Sequence, residues 1–118
     1  MAPESPEYPQ SSASFESNIE IEMTDFDGNS FIIPVTSDEL IIGRSGETHI
    51  QLKWGTVSRQ HAKLVREDDE NWTIIDMSSR EGVAVNGQKV QEQATVKPGD
   101  VITISFFRLK LQEVGGGD

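Results

Sequence analysis

Cysteine is absent from this chain of 118 residues. That excludes a disulfide framework and a cysteine-ligated zinc site, and it is compatible with a reducing compartment. Histidine is nearly absent: His49 and His61 are the only two, and no metal-ligand spacing connects them. No apolar run approaches the length of a membrane span, and the N-terminus has neither a basic start nor an apolar signal core. The expectation is a soluble, intracellular protein without metal or cofactor, in the cytoplasm with the nucleus left open, and with no membrane partner. Basic side chains are scarce too, 10 Lys and Arg against 20 Asp and Glu for a net charge of −10. Affinity for a polyanion comes mainly from Lys and Arg neutralising phosphates, so a nucleic-acid partner is not expected. Internal repeats and helix-period apolar segments of useful length are also missing.

What is present is enough chain for one domain, long enough to bury a single core without metal or disulfide support. Residues 1–18 are rich in Pro, Ser and Glu with few apolar side chains, too few to offset the entropy of ordering, and are expected to be a disordered tail. Residues 115–118 have the composition of a Gly-rich linker or tail. Between them, in residues 19–114, short apolar runs alternate with turn signals at intervals of roughly ten residues, which predicts an all-β sandwich.

The runs are short and well punctuated. Ile19, Ile21 and Met23 alternate with Glu20, Glu22 and Thr24 as a half-buried first strand. Asp27-Gly28-Asn29 turns the chain into Phe31-Ile32-Ile33, and Pro34, lacking a ladder donor, marks an edge or a strand end. Leu40-Ile41-Ile42 ends in Gly43-Arg44, and Ile50 with Leu52 marks a short strand in the loop region beyond. Residues 61–65 form the next run, with Asp68 to Asn71 as a solvated hairpin turn into Trp72–Asp76. Val83 to Val85 is a short strand, and Asn86-Gly87 is the pair preferred in two-residue hairpins with positive φ. Pro98-Gly99-Asp100 turns into the last runs, where the apolar phase slips at Phe106-Phe107; Ile102, Ile104 and Phe106 share one parity and Phe107, Leu109 and Leu111 the other. A bulge or a turn between strands explains such a slip.

Charge is unevenly spread. Arg44, Lys53, Arg59, Lys63 and Arg66 fall in one window that holds a single acid, Glu47. A local basic patch on an acidic protein suits a small anionic ligand better than a long one. An arginine fork and a serine hydroxyl on neighbouring loops are the groups needed to hold a phosphate, since the guanidinium donates two parallel hydrogen bonds and the hydroxyl a third. Arg44 and Ser58 are such a pair.

Gly43-Arg44, then Ser58-Arg59-x-His61-Ala62, Trp72-x-Ile-x-Asp76, Asn86-Gly87 and Pro98-Gly99-Asp100, in this order, resemble the forkhead-associated (FHA) domain family. The resemblance covers residues 19–114. It implies an FHA/SMAD-like β-sandwich of two mostly antiparallel sheets with recognition loops at one end. It also implies a non-catalytic module that binds phosphothreonine segments, with a Ser/Thr protein kinase or its substrate as partner. By the same resemblance Arg44 contacts the phosphate, Ser58 hydrogen-bonds it, and Arg59 and Arg80 supply side chains to phosphate or peptide. Asn86 touches the peptide, and Gly43 and His61 support the site, His61 by hydrogen-bonding the loop that carries Ser58.

The chain departs from the family pattern at Ser79-Arg80-Glu81-Gly82-Val83. The family asparagine that clasps the peptide backbone is replaced by Glu81, and an ionised carboxylate cannot donate to a peptide carbonyl. This leaves a second reading open, a phosphate-independent interaction domain of the same fold. Two other readings fail on chemistry. Ser58 and His61 lack a nucleophile elbow and an acid to orient the imidazole, so they are not a hydrolase pair. Asp25 to Asn29 begins like a calcium loop, but its glycine falls at the fourth position and Thr36 stands where a bidentate glutamate is required.

Overall fold

The computed structural model describes residues 19–114; the expected tail over 1–18 and the expected linker over 115–118 lie outside the described residues. The described strands are β1 (Ile19–Thr24), β2 (Ser30–Pro34), β3 (Glu39–Gly43), β4 (Ile50–Gln51), β5 (Ala62–Arg66), β6 (Trp72–Asp76), β7 (Ala84–Val85), β8 (Gln88–Lys89), β9 (Gln93–Val96), β10 (Val101–Ile104) and β11 (Phe107–Glu113). They form two sheets, a six-stranded one in the order β2-β1-β11-β10-β7-β8 and a five-stranded one in the order β4-β3-β5-β6-β9. Among the described strands every pairing is antiparallel except β3 with β4. The architecture is the all-β sandwich expected from the alternating runs.

Side chains alternate between the faces of a strand, so each sheet turns one apolar side inward. Ile21, Ile102, Ile104, Leu109 and Leu111 from the larger sheet meet Ile42, Leu64, Trp72 and Ile74 from the smaller, all essentially inaccessible to solvent. Loop residues Leu52, Val57 and Val83 close the ends of this core. No helix among the described residues is long and apolar enough to cross a membrane.

The turns carry the chemistry that their geometry demands. Asn86 and Gly87 both take positive φ (51° and 84°) between β7 and β8, as a two-residue hairpin of the primed type requires. The apolar phase slip is resolved as a turn. Ser105 and Phe106 link β10 to β11, so Ile104 faces Phe107 and Ile102 faces Leu109, and both parities land on the same inner face. Phe106 itself is therefore not a core residue and is 56% exposed. Pro34 ends β2, which is an edge strand, where its missing donor costs nothing.

One strand was not anticipated from the pattern. β9 pairs with β6 through Trp72↔Val96 to Ile75↔Gln93, yet its sequence, QATV, has a single fully buried side chain, Val96. An edge strand held mainly by its ladder has little apolar periodicity to display.

The β5–β6 turn is organised by Asp68. Its carboxylate accepts hydrogen bonds from the Glu70 N–H, the Asn71 side-chain amide and the Asn71 N–H. These bonds, that from Glu70 foremost, hold the Asp68 carboxyl below its ordinary value. With the folded-state value below the unfolded one, the stabilisation is complete above the ordinary carboxylate range and is lost as the pH falls through the folded value. Asp68→Ala is therefore expected to lower Tm slightly at neutral pH and to converge with the parent in strong acid, read by thermal unfolding down to about pH 2.

Candidate functional site

The site begins where β3 runs out. Beyond the β3–β5 ladder the chain stays hydrogen-bonded to the loop preceding β5: Arg44 N–H donates to the Ser58 carbonyl (3.0 Å), Ser45 N–H to that of Arg59 (3.2 Å), and His61 N–H to that of Ile42 (2.8 Å). Arg44 and Ser58 are thereby side by side. The approach is so close that a Cβ on Gly43 would lie 2.1 Å from the Arg59 carbonyl oxygen, a backbone atom that cannot step aside. Glycine is required here by contact with the neighbouring chain.

Arg44 is anchored at its base. Nε donates to the Val57 carbonyl at 2.9 Å, which directs the fork outward. Ser58 Oγ accepts from the Arg80 N–H at 3.2 Å, leaving the hydroxyl proton free to donate elsewhere. Arg44, Ser58, Arg59 and Arg80 line one open pocket of about 300 Å³, together with Gly55, Thr56 and Val57. Among the described residues, none of these three arginines forms an ion pair; the salt bridges involve Lys63, Arg66 and Lys97. Three cations facing one cavity with no carboxylate among its lining residues leave an uncompensated positive field, which an anion would complete.

The two loops that meet here are tied by a buried side chain. His61 is inaccessible to solvent. Its Nδ1 accepts from the Ser58 N–H at 3.0 Å, and its Nε2 lies 2.8 Å from the Gly82 carbonyl. A ring that accepts at Nδ1 and faces a carbonyl at Nε2 must carry its proton on Nε2. One imidazole thus fastens the loop of Ser58 to the loop of Arg80. The second histidine is structural as well: His49 Nδ1 accepts from the Ile41 N–H at 2.9 Å.

Loop-bracing residues escaped the sequence reading. Asp76 accepts from the Ser79 N–H (2.9 Å), and Ser79 Oγ accepts from the Gly82 N–H (2.9 Å), while Ser78 takes φ 58°. Thr48 Oγ1 lies 2.7 Å from the Ser45 carbonyl in the loop between β3 and β4. The signal was available, since Asp and Ser followed two or three residues on by a backbone donor are the usual side-chain mimics of a turn.

Asn86 stands apart. Its Nδ2 donates to Asp100 Oδ1 and its Oδ1 accepts from the Val101 N–H, both at 3.0 Å, and it lines a separate cleft with Lys89 and Lys97. The amide is committed to the turn that receives β10, away from the arginine-lined pocket. Glu81 is exposed beside Arg80 and is not among the residues lining that pocket. Among the described residues no group of three or more His, Asp or Glu side chains is placed to hold a metal ion.

Removing the clasp has a calculable effect. His61→Ala would orphan the Ser58 donor and the Gly82 acceptor, at about 1–3 kcal/mol for each buried group. The variant is expected to lose about 2–6 kcal/mol of stability in urea unfolding, with faster hydrogen exchange at the Ser58 amide as the local sign of the loosened loop.

The comparisons with known proteins agree with this geometry. The family model of the FHA domain matches residues 40–105. The proliferation marker protein Ki-67 of Homo sapiens is 33% identical over 101 residues, 84% of this chain. The chain spans only 3% of that relative's length. The crystal structure of the FHA domain of the CT664 protein from Chlamydia trachomatis superposes with a TM-score of 0.75 at 25% identity, over 82% of this chain and 98% of that one. EmbR of Mycobacterium tuberculosis, solved in complex with a low-affinity phosphopeptide, matches with a TM-score of 0.71 at 25% identity, over 91% of this chain and 27% of that one. With a family match over more than half its length and the sandwich in place, this chain belongs to the FHA domain family.

Proposed function

We propose that residues 19–114 form a non-catalytic module that binds phosphothreonine-containing protein segments in Ser/Thr kinase signalling. The observation that carries the reading is the convergence of Arg44, Ser58, Arg59 and Arg80 on one pocket without a competing carboxylate. A phosphate group carries nearly two negative charges and three acceptor oxygens, which is what an arginine fork, a free hydroxyl proton and neighbouring cations satisfy together. Membership of the FHA family and the phosphopeptide held by EmbR support it.

In this reading Arg44 makes the principal charge-assisted contact, with Ser58 donating its hydroxyl proton. Arg59 and Arg80 add field and further donors, and Gly43 and His61 keep the loops in register. Asn86 acts through the turn that it braces. Glu81 favours a second reading, a phosphate-independent interaction domain, because it replaces an amide donor with a group that repels phosphate wherever it turns inward.

The test is capture of an oriented phosphothreonine peptide library by the purified protein, with unphosphorylated and phosphoserine versions beside it. A charge-assisted hydrogen bond contributes roughly 1.5–3 kcal/mol, so Arg44→Ala is expected to weaken phosphopeptide binding by about tenfold or more with Tm unchanged. Equal binding by parent and variant would refute the assignment. Binding of a cellular partner that survives phosphatase treatment would transfer the weight to the phosphate-independent reading.

A further inference from the structure

β2 ends the larger sheet, and among the described residues no strand pairs with its outer edge. Which of its backbone groups face outward follows from the turn that precedes it. Asp25 N–H donates to the Asn29 carbonyl at 3.0 Å, so these two residues are a hydrogen-bonded pair. Such pairs alternate along an antiparallel ladder, and in the register of β1 with β2 the next are Met23 with Phe31 and Ile21 with Ile33. The N–H and C=O groups of Ser30 and Ile32, and the Pro34 carbonyl, therefore point away from β1. The other side of β1 agrees with this phase. The two-residue turn between β10 and β11 makes Ile104 and Phe107 a bonded pair, which leaves Arg108, Lys110 and Gln112 to bond β1 through Thr24, Glu22 and Glu20.

The side chains on this edge are apolar. Phe31 is 49% and Ile32 53% exposed, and Ile33 packs only partly against the core. Edge strands are ordinarily guarded by charge, by a bulge or by being short. β4 and β8 have two residues each, and β9 exposes Gln93 and Thr95. β2 runs for five residues without a charge and is guarded only by Pro34 at its end.

The edge is also complementary to itself. With a second copy laid antiparallel about a two-fold axis through Ile32, the five residues overlap fully and the two Ile32 backbones exchange both of their bonds. Ser30 N–H of each copy then reaches the Pro34 carbonyl of the other. The donor that proline lacks removes one bond on each side, and about four remain. Phe31 lies opposite Ile33 of the other copy at the closer, non-bonded spacing, an aromatic and β-branched pair of the kind that stabilises sheets. The two Ile32 side chains meet on the outer face, and no charge faces a like charge along the strip.

We infer that β2 is a dimerisation edge, through which two copies of this chain pair antiparallel over residues 30–34 and join their larger sheets into one. Each copy has one such edge among its described strands, so pairing closes at two. The strip is well below the ~800 Å² per partner of a standard interface, which makes the dimer a transient one, exchanging with monomer at micromolar to millimolar concentration. None of its residues lines the arginine-lined pocket, so the inference stands apart from the phosphate reading, and each dimer carries two such pockets.

The experiment is sedimentation equilibrium of the whole chain from about 1 μM to about 1 mM, with amide hydrogen exchange at both ends of that range. The parent is expected to pass from monomer toward dimer. Ser30 and Ile32 N–H are expected to exchange more slowly as the concentration rises, while Phe31 and Ile33 N–H, already bonded to β1, stay as they were. Added salt is expected to tighten the dimer, because each copy carries a net charge of −10 and no ion pair crosses the strip. Ile32→Lys sets two ammonium groups side by side at the axis, and Ile32→Pro removes the outward donor while sparing the bonds to β1. Each is expected to weaken the dimer at least about tenfold with the Tm of dilute protein retained; Ile32→Lys alone serves if the proline variant fails to fold. Phe106→Ser, at an exposed ring elsewhere on the surface, is expected to change nothing. A parent that stays monomeric to about 1 mM overturns the inference. So does a dimer that persists in the Ile32 variants, or one that forms without protecting the Ser30 and Ile32 amides, since either lies on another surface.

Discussion

The loop end of this sandwich that carries Arg44 and Ser58 hangs on the ring of His61, which has a partner on each nitrogen. Loops at the end of a sandwich are held only where they meet the strands, and each ordered residue in them costs about 1–2 kcal/mol of backbone entropy. A surface tie could not secure them, because water competes for every hydrogen bond. His61 is inaccessible, so its bonds to Ser58 and Gly82 face no such competition and would be expensive to leave unmade. The backbone bonds between residues 42–45 and 58–61 then fix the other axis, with the Gly43 contact setting how near the two segments come. Side chains with three or four rotatable bonds converge usefully only when their backbones are fixed in this way.

Electrostatically the domain is a small positive spot on a negative body. The net charge of the whole chain is −10, yet three unpaired arginines share one pocket. Charges separated by more than a Debye length, about 8 Å at physiological ionic strength, are largely screened from each other at the surface. The acidic remainder therefore leaves the pocket's field largely intact at contact distance.

Much of this was legible in the sequence because turn chemistry and strand alternation are local. Asp27-Gly28, Asn86-Gly87 and Pro98-Gly99 each announced a turn through backbone conformations or donors that few residues tolerate. The neighbourhood of Arg44 and Ser58 was legible only through the order of motifs, since fourteen residues separate them and no period links the two. β9 stayed hidden because an edge strand of mixed polarity has no stripe to show. Asn86 was placed at its turn correctly, but which partner its amide would find depended on Asp100, whose approach is a matter of tertiary register. The contact among Phe26, Trp54 and Phe106 was hidden for the same reason, since the three are 28 and 52 residues apart in succession.

The position of β1 has a consequence for how the chain acquires its structure. β1 lies between β2 and β11, with Ile19 opposite Glu113. During synthesis the first described strand emerges long before the last, and until then it has only the hairpin with β2, which is marginal by itself in water. Its Ile21, wholly buried in the finished sandwich, has no lasting shelter in the meantime. Closing so long a loop makes the late pairing slow relative to local contacts. The larger sheet can therefore be completed only after β11 clears the ribosome.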